Sequence, residues 1–224
     1  MFLKVENITT GYGKKQVLNN VSFEINKGEN TLISGGNGSG KSTVLKTIYG
    51  LLKPWTPDGK ILFEGDDITS QPTASMIKRG IVYMPQKKNV FEDFTVEENL
   101  LTSASIYPRK EAKERIEKVY EMLPRLKEMQ KRTPFNMSGG ERQMLALAFG
   151  IVLIHIGNAK IFLLDEPFAG IDADNQELLS RIIQQLSQEK EEERVTFIIV
   201  EHRIRFLGDF FHKEIKLNLG ELEK

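Results

Sequence analysis

The chain has 224 residues, enough for one large domain or a domain with a subdomain, with an ample hydrophobic core. Its 31 Lys and Arg balance 31 Asp and Glu, so it lacks the basic excess that marks nucleic-acid binders. Cysteine is absent, which removes disulfides and thiolate metal sites and leaves a reducing cytosol as the default compartment.

The N-terminal "MFLKVENITT" carries Lys4 and Glu6 and lacks the apolar core of a signal peptide. "FLKVENI" and "VSFEI" alternate apolar and polar residues, as half-buried strands do. Tyr12, in "TGYGKK", reads alone as a turn tyrosine, although its ring face can stack on a base. "NTLIS" is a short strand that runs into "GGNGSGKST". That loop matches G-x-x-x-x-G-K-[ST] at Gly35, Gly40, Lys41 and Ser42, with Asn37, Gly38 and Ser39 inside it and Thr43 after it. Glycines let successive backbone N–H groups turn inward around phosphate oxygens, and the following helix N-terminus favours negative charge. Lys41 is expected to reach β- and γ-phosphates, and the Ser42 hydroxyl to coordinate Mg²⁺.

"KILFEG" followed by "DDI" predicts a hairpin, and "GIVYMP" a further strand that ends near Gln86. An amide at a strand end can touch Mg²⁺ or water; without context Gln86 is an unremarkable loop residue. From Glu92 to about Lys131 the pattern turns helical. Ile116, Val119, Leu123 and Leu126 share one stripe, and Glu111/Arg115 and Glu114/Lys118 are expected to pair on the exposed side. Pro124 falls inside this pattern and should break or kink it.

"NMSGGERQMLALAFG" follows. Ser138 can cap a helix starting near Gly140, and Glu141 in the first turn suits the helix dipole. Gly139 and Gly140 at a long helix entrance also make a second anion-binding surface. The uncharged run from Met144 to Gly157 is too short to cross about 30 Å of hydrocarbon, and His155 interrupts it. A buried helix and a soluble chain are expected, with any membrane role exerted through a partner.

"IFLL" and "VTFIIV" are apolar without alternation, as in parallel strands buried on both faces. "NQELLSRIIQQLSQEKEEER" between them reads as the crossover helix, with "EKEEER" a solvated end. Asp165 and Glu166 follow the first of these strands, at the carboxyl end where open α/β sheets place ligands. One carboxylate can hold Mg²⁺ while its neighbour polarises water. In isolation the pair reads as a helix-start signal; with a phosphate loop upstream, the chemical reading is favoured. His202 follows the second strand, where a third element of such a site belongs. The expected fold is α/β: a P-loop core with a parallel sheet, an antiparallel N-terminal β portion and a helical insertion over residues 90–155.

The order Tyr12, "GGNGSGKST", Gln86, "MSGGE", "IFLLDE", "AGID" and His202 resembles the ATP-binding subunit of ABC transporters over nearly the whole chain. The resemblance implies ATP and Mg²⁺ as cofactors and ATP hydrolysis as the activity. Gly35 to Thr43 look like Walker A, Gln86 the Q-loop, and Ser138, Gly139 and Gly140 the signature. Asp165 looks like Walker B, Glu166 the general base, Asp172 the D-loop aspartate and His202 the switch histidine. Lys41, Glu166 and His202 are thereby implied in catalysis, and Ser42, Gln86 and Asp165 in holding the metal. In that family two such subunits, identical or not, sandwich two ATP molecules, the P-loop of one facing the signature of the other.

Residues 1–89 and 156–224 are then the ATP-binding core, and 90–155 the helical signature subdomain. "FEDFTVEENLL", "LPRLKE" and "MSGGERQMLALA" look most like the ATPases of branched-chain amino acid importers. "DEPFAGID" and "VEHRI" also resemble a sister group that includes the lipopolysaccharide-export ATPase. "AFGI" replaces the usual Ala-Arg-Ala, "VLIHIGN" adds residues before Walker B, and a short tail after His202 leaves no room for a regulatory domain. The implied partners are transmembrane permease subunits and, for an importer, a substrate-binding protein; nucleic acid is not expected. The implied location is peripheral, on the cytoplasmic face of the cell membrane. Two other readings are a soluble ABC ATPase acting on DNA or ribosomes and a nucleotide-binding module that only dimerises.

Overall fold

In the computed structural model, residues 1–87, 89–154, 159–188, 194–202 and 206–223 are described, Ile154 in its backbone only. His155, most of the "EKEEER" run, the end of "VLIHIGN" and the last two residues of "VEHRI" lie outside the described residues. At the N-terminus β1 (Leu3–Tyr12) pairs antiparallel with β2 (Lys15–Ile25). The expected hairpin of β4 (Lys60–Phe63) and β5 (Asp66–Asp67) joins the other edge of β1, in the order β2-β1-β4-β5. Leu3, Val5 and Ile8, with Leu18, Val21 and Ile25, point into the core, which is the alternation read in the sequence.

The second sheet contains β3 (Thr31–Gly35), β6 (Ile81–Met84), β7 (Ile161–Asp165), β8 (Thr196–Val200), β9 (Lys213–Asn218) and β10 (Glu221–Leu222). Among the described residues its order is β10-β9-β3-β8-β7-β6, parallel throughout except for the β9–β10 hairpin. β7 and β8 are buried along their whole length, which is why their sequences do not alternate. Phe162, Leu164, Phe197 and Ile199 pack toward the helical layer. Ile161, Leu163, Ile198 and Val200 pack toward the antiparallel sheet and the helix after β3. The sheet is therefore the middle layer of three, and the carboxyl ends of β3, β6, β7 and β8 share one rim.

Helices α1 (Lys41–Ile48), α2 (Thr73–Lys78), α3 (Val96–Ser103), α4 (Arg109–Met122), α5 (Pro124–Glu128), α6 (Gly139–Ile154) and α7 (Ala173–Ser187) complete the described fold. The short α2 was not foreseen. Pro124 does end α4: Leu123 before it leaves helical geometry at φ −130° and ψ 67°, and α5 starts at the proline. Ile116, Val119, Leu123 and Leu126 are all buried, as their stripe predicted. Arg115 departs from expectation. It does pair with Glu111, but it is only 1% exposed rather than on the solvent face. Its guanidinium carbon lies 3.5 Å from the Tyr107 ring centre, and Nη1 donates to the Val152 carbonyl at 2.9 Å. Tyr107 donates to the Leu153 carbonyl at 3.1 Å, so two side chains hold neighbouring carbonyls of α6.

The "AFGI" departure has a packing cause. A Cβ on Gly150 would lie 2.1 Å from the Phe162 ring, so α6 meets the sheet where only hydrogen fits. Glycine inside a helix costs about 1 kcal/mol relative to alanine; here the close approach of a buried phenylalanine offsets it.

Candidate active site

The glycine loop leaves the end of β3 at Gly35, whose φ is 138° and whose Cβ would lie 2.1 Å from the Leu217 carbonyl oxygen. Only glycine fits there. The loop closes on Gly40, in left-handed geometry, at the N-cap of α1. Lys41, 5% exposed, folds back so that Nζ donates to the Gly35 carbonyl at 2.9 Å and the Gly36 carbonyl at 2.8 Å. Burial lowers its pKa, opposed by the charges of Glu166 and Asp165. A buried ammonium resting on neutral carbonyls suits an anionic ligand. Ser39 Oγ adds an orphan, buried without a hydrogen-bond partner. Asn37 and Gly38 are exposed at the loop tip, and Thr43 is buried behind it.

A cavity of about 470 Å³ opens over this loop, lined among others by Tyr12, Lys15, Lys41, Ser42, Glu166 and Leu219. Tyr12, half exposed at the end of β1, accepts a hydrogen bond from Lys46 at 3.3 Å. Ser42 donates to Asp165 Oδ1 at 2.7 Å, and Tyr83 donates to Oδ2 at 3.2 Å. Burial raises the Asp165 pKa, opposed chiefly by these two hydrogen bonds. Burial, then the Asp165 charge, pushes the Tyr83 phenol far above its ordinary value, so it stays a donor.

Glu166 has φ 50°, a left-handed conformation that non-glycine residues rarely adopt. Such strain clusters at functional sites. Its amide donates to the Val200 carbonyl at 2.9 Å, and its Oε2 accepts from Gln86. His202 Nε2 lies 3.8 Å from Oε1. Glu201, 6% exposed, accepts from the Phe168 amide at 3.2 Å and the His202 amide at 2.7 Å, which seats the start of the His202 segment.

The second glycine pair stands elsewhere. Ser138 Oγ accepts from the Glu141 amide at 3.2 Å, and Glu141 accepts from the Ser138 amide at 2.9 Å, a capping box that starts α6 at Gly139. These hydrogen bonds, led by the one from the Ser138 amide, and Arg125 hold the Glu141 carboxyl below its ordinary pKa. A Cβ on Gly139 would meet the Gly170 carbonyl at 3.0 Å, and one on Gly140 the Asn175 amide at 2.7 Å. Asp172 caps α7 by accepting from the Asn175 amide at 3.0 Å, and Asn175 hydrogen bonds keep its carboxyl below the usual range. Gly140 and Asp172 thus meet at Asn175, and neither they nor Ser138 and Gly139 line the cavity over the phosphate loop. Gln86 and His202 reach that cavity through Glu166.

Hydroxyl and carboxylate oxygens at Ser42 and Asp165 fit a hard cation such as Mg²⁺. No group of three His, Cys, Asp or Glu able to hold a metal occurs among the described residues. Sequence reading missed Tyr83, Glu201 and Lys46. Tyr83 stood three places before Gln86 in "GIVYMPQ", with the same strand to carry it; nothing in the sequence marked the other two.

The family described as "ABC transporter" matches residues 18–169. The chain is 36% identical over 203 residues to a probable branched-chain amino acid transport ATP-binding protein, LivF, of Archaeoglobus fulgidus, covering 91% of this chain and 82% of that one. It is 30% identical over 222 residues to the lipopolysaccharide export system ATP-binding protein LptB of Haemophilus influenzae, covering 98% and 88%. A solved dimeric structure of a bacterial ABC transporter cassette superposes with a TM-score of 0.86 at 26% identity, covering 100% of this chain and 97% of that one.

Proposed function

The chain belongs to the ABC transporter family as an ATP-binding and ATP-hydrolysing subunit, and we propose how its residues divide that work. The carrying observation is convergence: loop, Mg²⁺-type oxygens and a strained carboxylate meet at one strand-end rim. The loop amides from Gly35 to Thr43 and Lys41 bind the phosphates, and Tyr12 supports the base. Ser42, Asp165 and Gln86 hold Mg²⁺, which supplies charge neutralisation at the γ-phosphate when bound. Glu166 orients and deprotonates water, and His202 positions Glu166. Residues 1–89 and 156–224 form the ATP-binding core, and 90–155 the helical subdomain. An ATPase assay across a Mg²⁺ titration, with Lys41→Ala and Asp165→Asn as controls, tests this reading.

The second glycine pair is read as serving the nucleotide of a partner chain. Its absence from the cavity lining supports this, as does similarity to a cassette solved as a dimer. Ser138, Gly139, Gly140 and Asp172 would then complete the partner's site.

Permease subunits are the membrane partners, and no helix among the described residues is long and apolar enough to cross a membrane. Their docking site is read at a groove of about 630 Å³ lined by Tyr83, Met84, Val90, Phe91, Phe149 and Leu153, among others. Phe91 in this lining is 48% exposed, and its neighbour Phe94, outside the lining, is 43% exposed, with ring centres 5.3 Å apart. On this reading the chain sits at the cytoplasmic face of the membrane. Uptake of branched-chain or other hydrophobic amino acids is the proposed transport, with a substrate-binding protein as third partner. The relative from Archaeoglobus fulgidus supports it; the lipopolysaccharide-export relative supports the alternative of an exporter. Mass spectrometry of the co-purifying membrane subunits, followed by labelled leucine uptake, decides between them.

A further inference from the structure

Asp165 is 2% exposed, and hydroxyls from two different elements hold its two oxygens. The two donors are not equivalent. Ser42 is read as a metal ligand, a task that would use a lone pair of the same hydroxyl that donates to Asp165. Tyr83 would have no such second task and serves the carboxylate alone. A buried carboxylate with one oxygen committed to a cation needs its other oxygen hydrogen-bonded, both for orientation and to avoid a desolvated charge.

Strand pairing sets the geometry. Tyr83 on β6 is in register with Leu163 on β7, two residues before Asp165, so ring and carboxylate share one face of the sheet. The Tyr83 ring rests 5.4 Å from the Tyr49 ring, just beyond α1. Gln86, three residues after Tyr83, holds the neighbouring Glu166. β6 is also the edge strand of the sheet, and its open side faces the apolar groove. Tyr83 and Tyr49 wall that groove opposite Ala146 and Phe149 of α6. Of the groove's lining residues, Tyr83 is the one with a hydrogen bond to Asp165 or Glu166 among the described residues.

We propose that Tyr83 is a positioning residue for the metal-holding carboxylate of Asp165. The inference rests on the reading of Asp165 as the Mg²⁺ carboxylate. Mn²⁺, counted by electron paramagnetic resonance in the presence of saturating ADP, reports the site without turnover. Tyr83→Phe keeps the ring and removes the donor; Mn²⁺ affinity should fall about tenfold, while ADP affinity in EDTA stays unchanged. Asp165→Asn should weaken Mn²⁺ at least as much. Weakening in Asp165→Asn alone overturns the role of Tyr83, whereas an unchanged Asp165→Asn overturns the reading beneath it.

Discussion

His202 Nε2 lies 3.8 Å from Glu166 Oε1, while Gln86, just past the end of β6, holds the opposite carboxylate oxygen. Glu166 is thus gripped from both sides in a strained backbone conformation. Replacing it with Gln keeps shape and hydrogen bonding but removes the base. Turnover should fall about 10²–10⁴-fold, with ATP still bound through Lys41 and the loop amides in a trapped dimer. Near-normal turnover would assign water activation to another group.

Arg115 supplies a stability prediction that the helical pattern alone would have reversed. An exposed i,i+4 pair contributes a few tenths of a kcal/mol, but this guanidinium is buried, stacked on Tyr107 and bonded to the α6 carboxyl end. Arg115→Ala should cost about 3 kcal/mol, somewhat less if water reaches the part-exposed Glu111 left behind. Urea denaturation measures it; a loss under about 0.5 kcal/mol, the ordinary surface value, would contradict the packing described.

Gly150→Ala should destabilise by about 1–3 kcal/mol, because the added methyl meets the Phe162 ring. Pairing it with Phe162→Leu should recover part of the loss. Thermal unfolding of the two variants checks this, and an unchanged single variant would mean that α6 does not press on the sheet there.

The Glu141 carboxyl, held below its ordinary pKa by the Ser138 capping box, gives a pH signature. A depressed folded-state pKa stabilises above the unfolded value and is lost as pH falls through the folded value. Wild type should therefore exceed Glu141→Gln by about 0.5–1 kcal/mol at pH 7. The gap should close progressively below the ordinary carboxyl value of 4.5. A gap independent of pH would show that the charge is irrelevant to the cap.

Phe91 and Phe94 present an apolar face beside charged Glu92 and Asp93. Phe91→Asp should weaken co-purification with the membrane subunits and leave ATP binding intact. Unchanged co-purification would place docking elsewhere.

The sheet, the phosphate loop and the break at Pro124 were legible because local chemistry dictates them: unalternating runs, invariant glycine geometry, a missing N–H. Arg115 was misread because periodicity places a residue on a helix face but not what covers that face. Here the C-terminal end of α6 does. Tyr83 was missed for a related reason. Its partner is 82 residues away, and only the β6–β7 register brings them together.

The central claim is that the glycines at 139 and 140 serve the other chain's nucleotide. Lys41→Ala disables the phosphate loop, and Ser138→Arg blocks the second surface by bulk; each homodimer then has two defective sites. Random mixing makes about half the dimers mixed, and in a trans arrangement each mixed dimer has one intact site, so about a quarter of all sites recover. ATPase activity and nucleotide trapping, measured after labelled chains confirm subunit exchange, give the answer. Recovery of either signal toward a quarter of wild type is the predicted result. With exchange confirmed, signals no higher than those of the unmixed mutants would contradict the account.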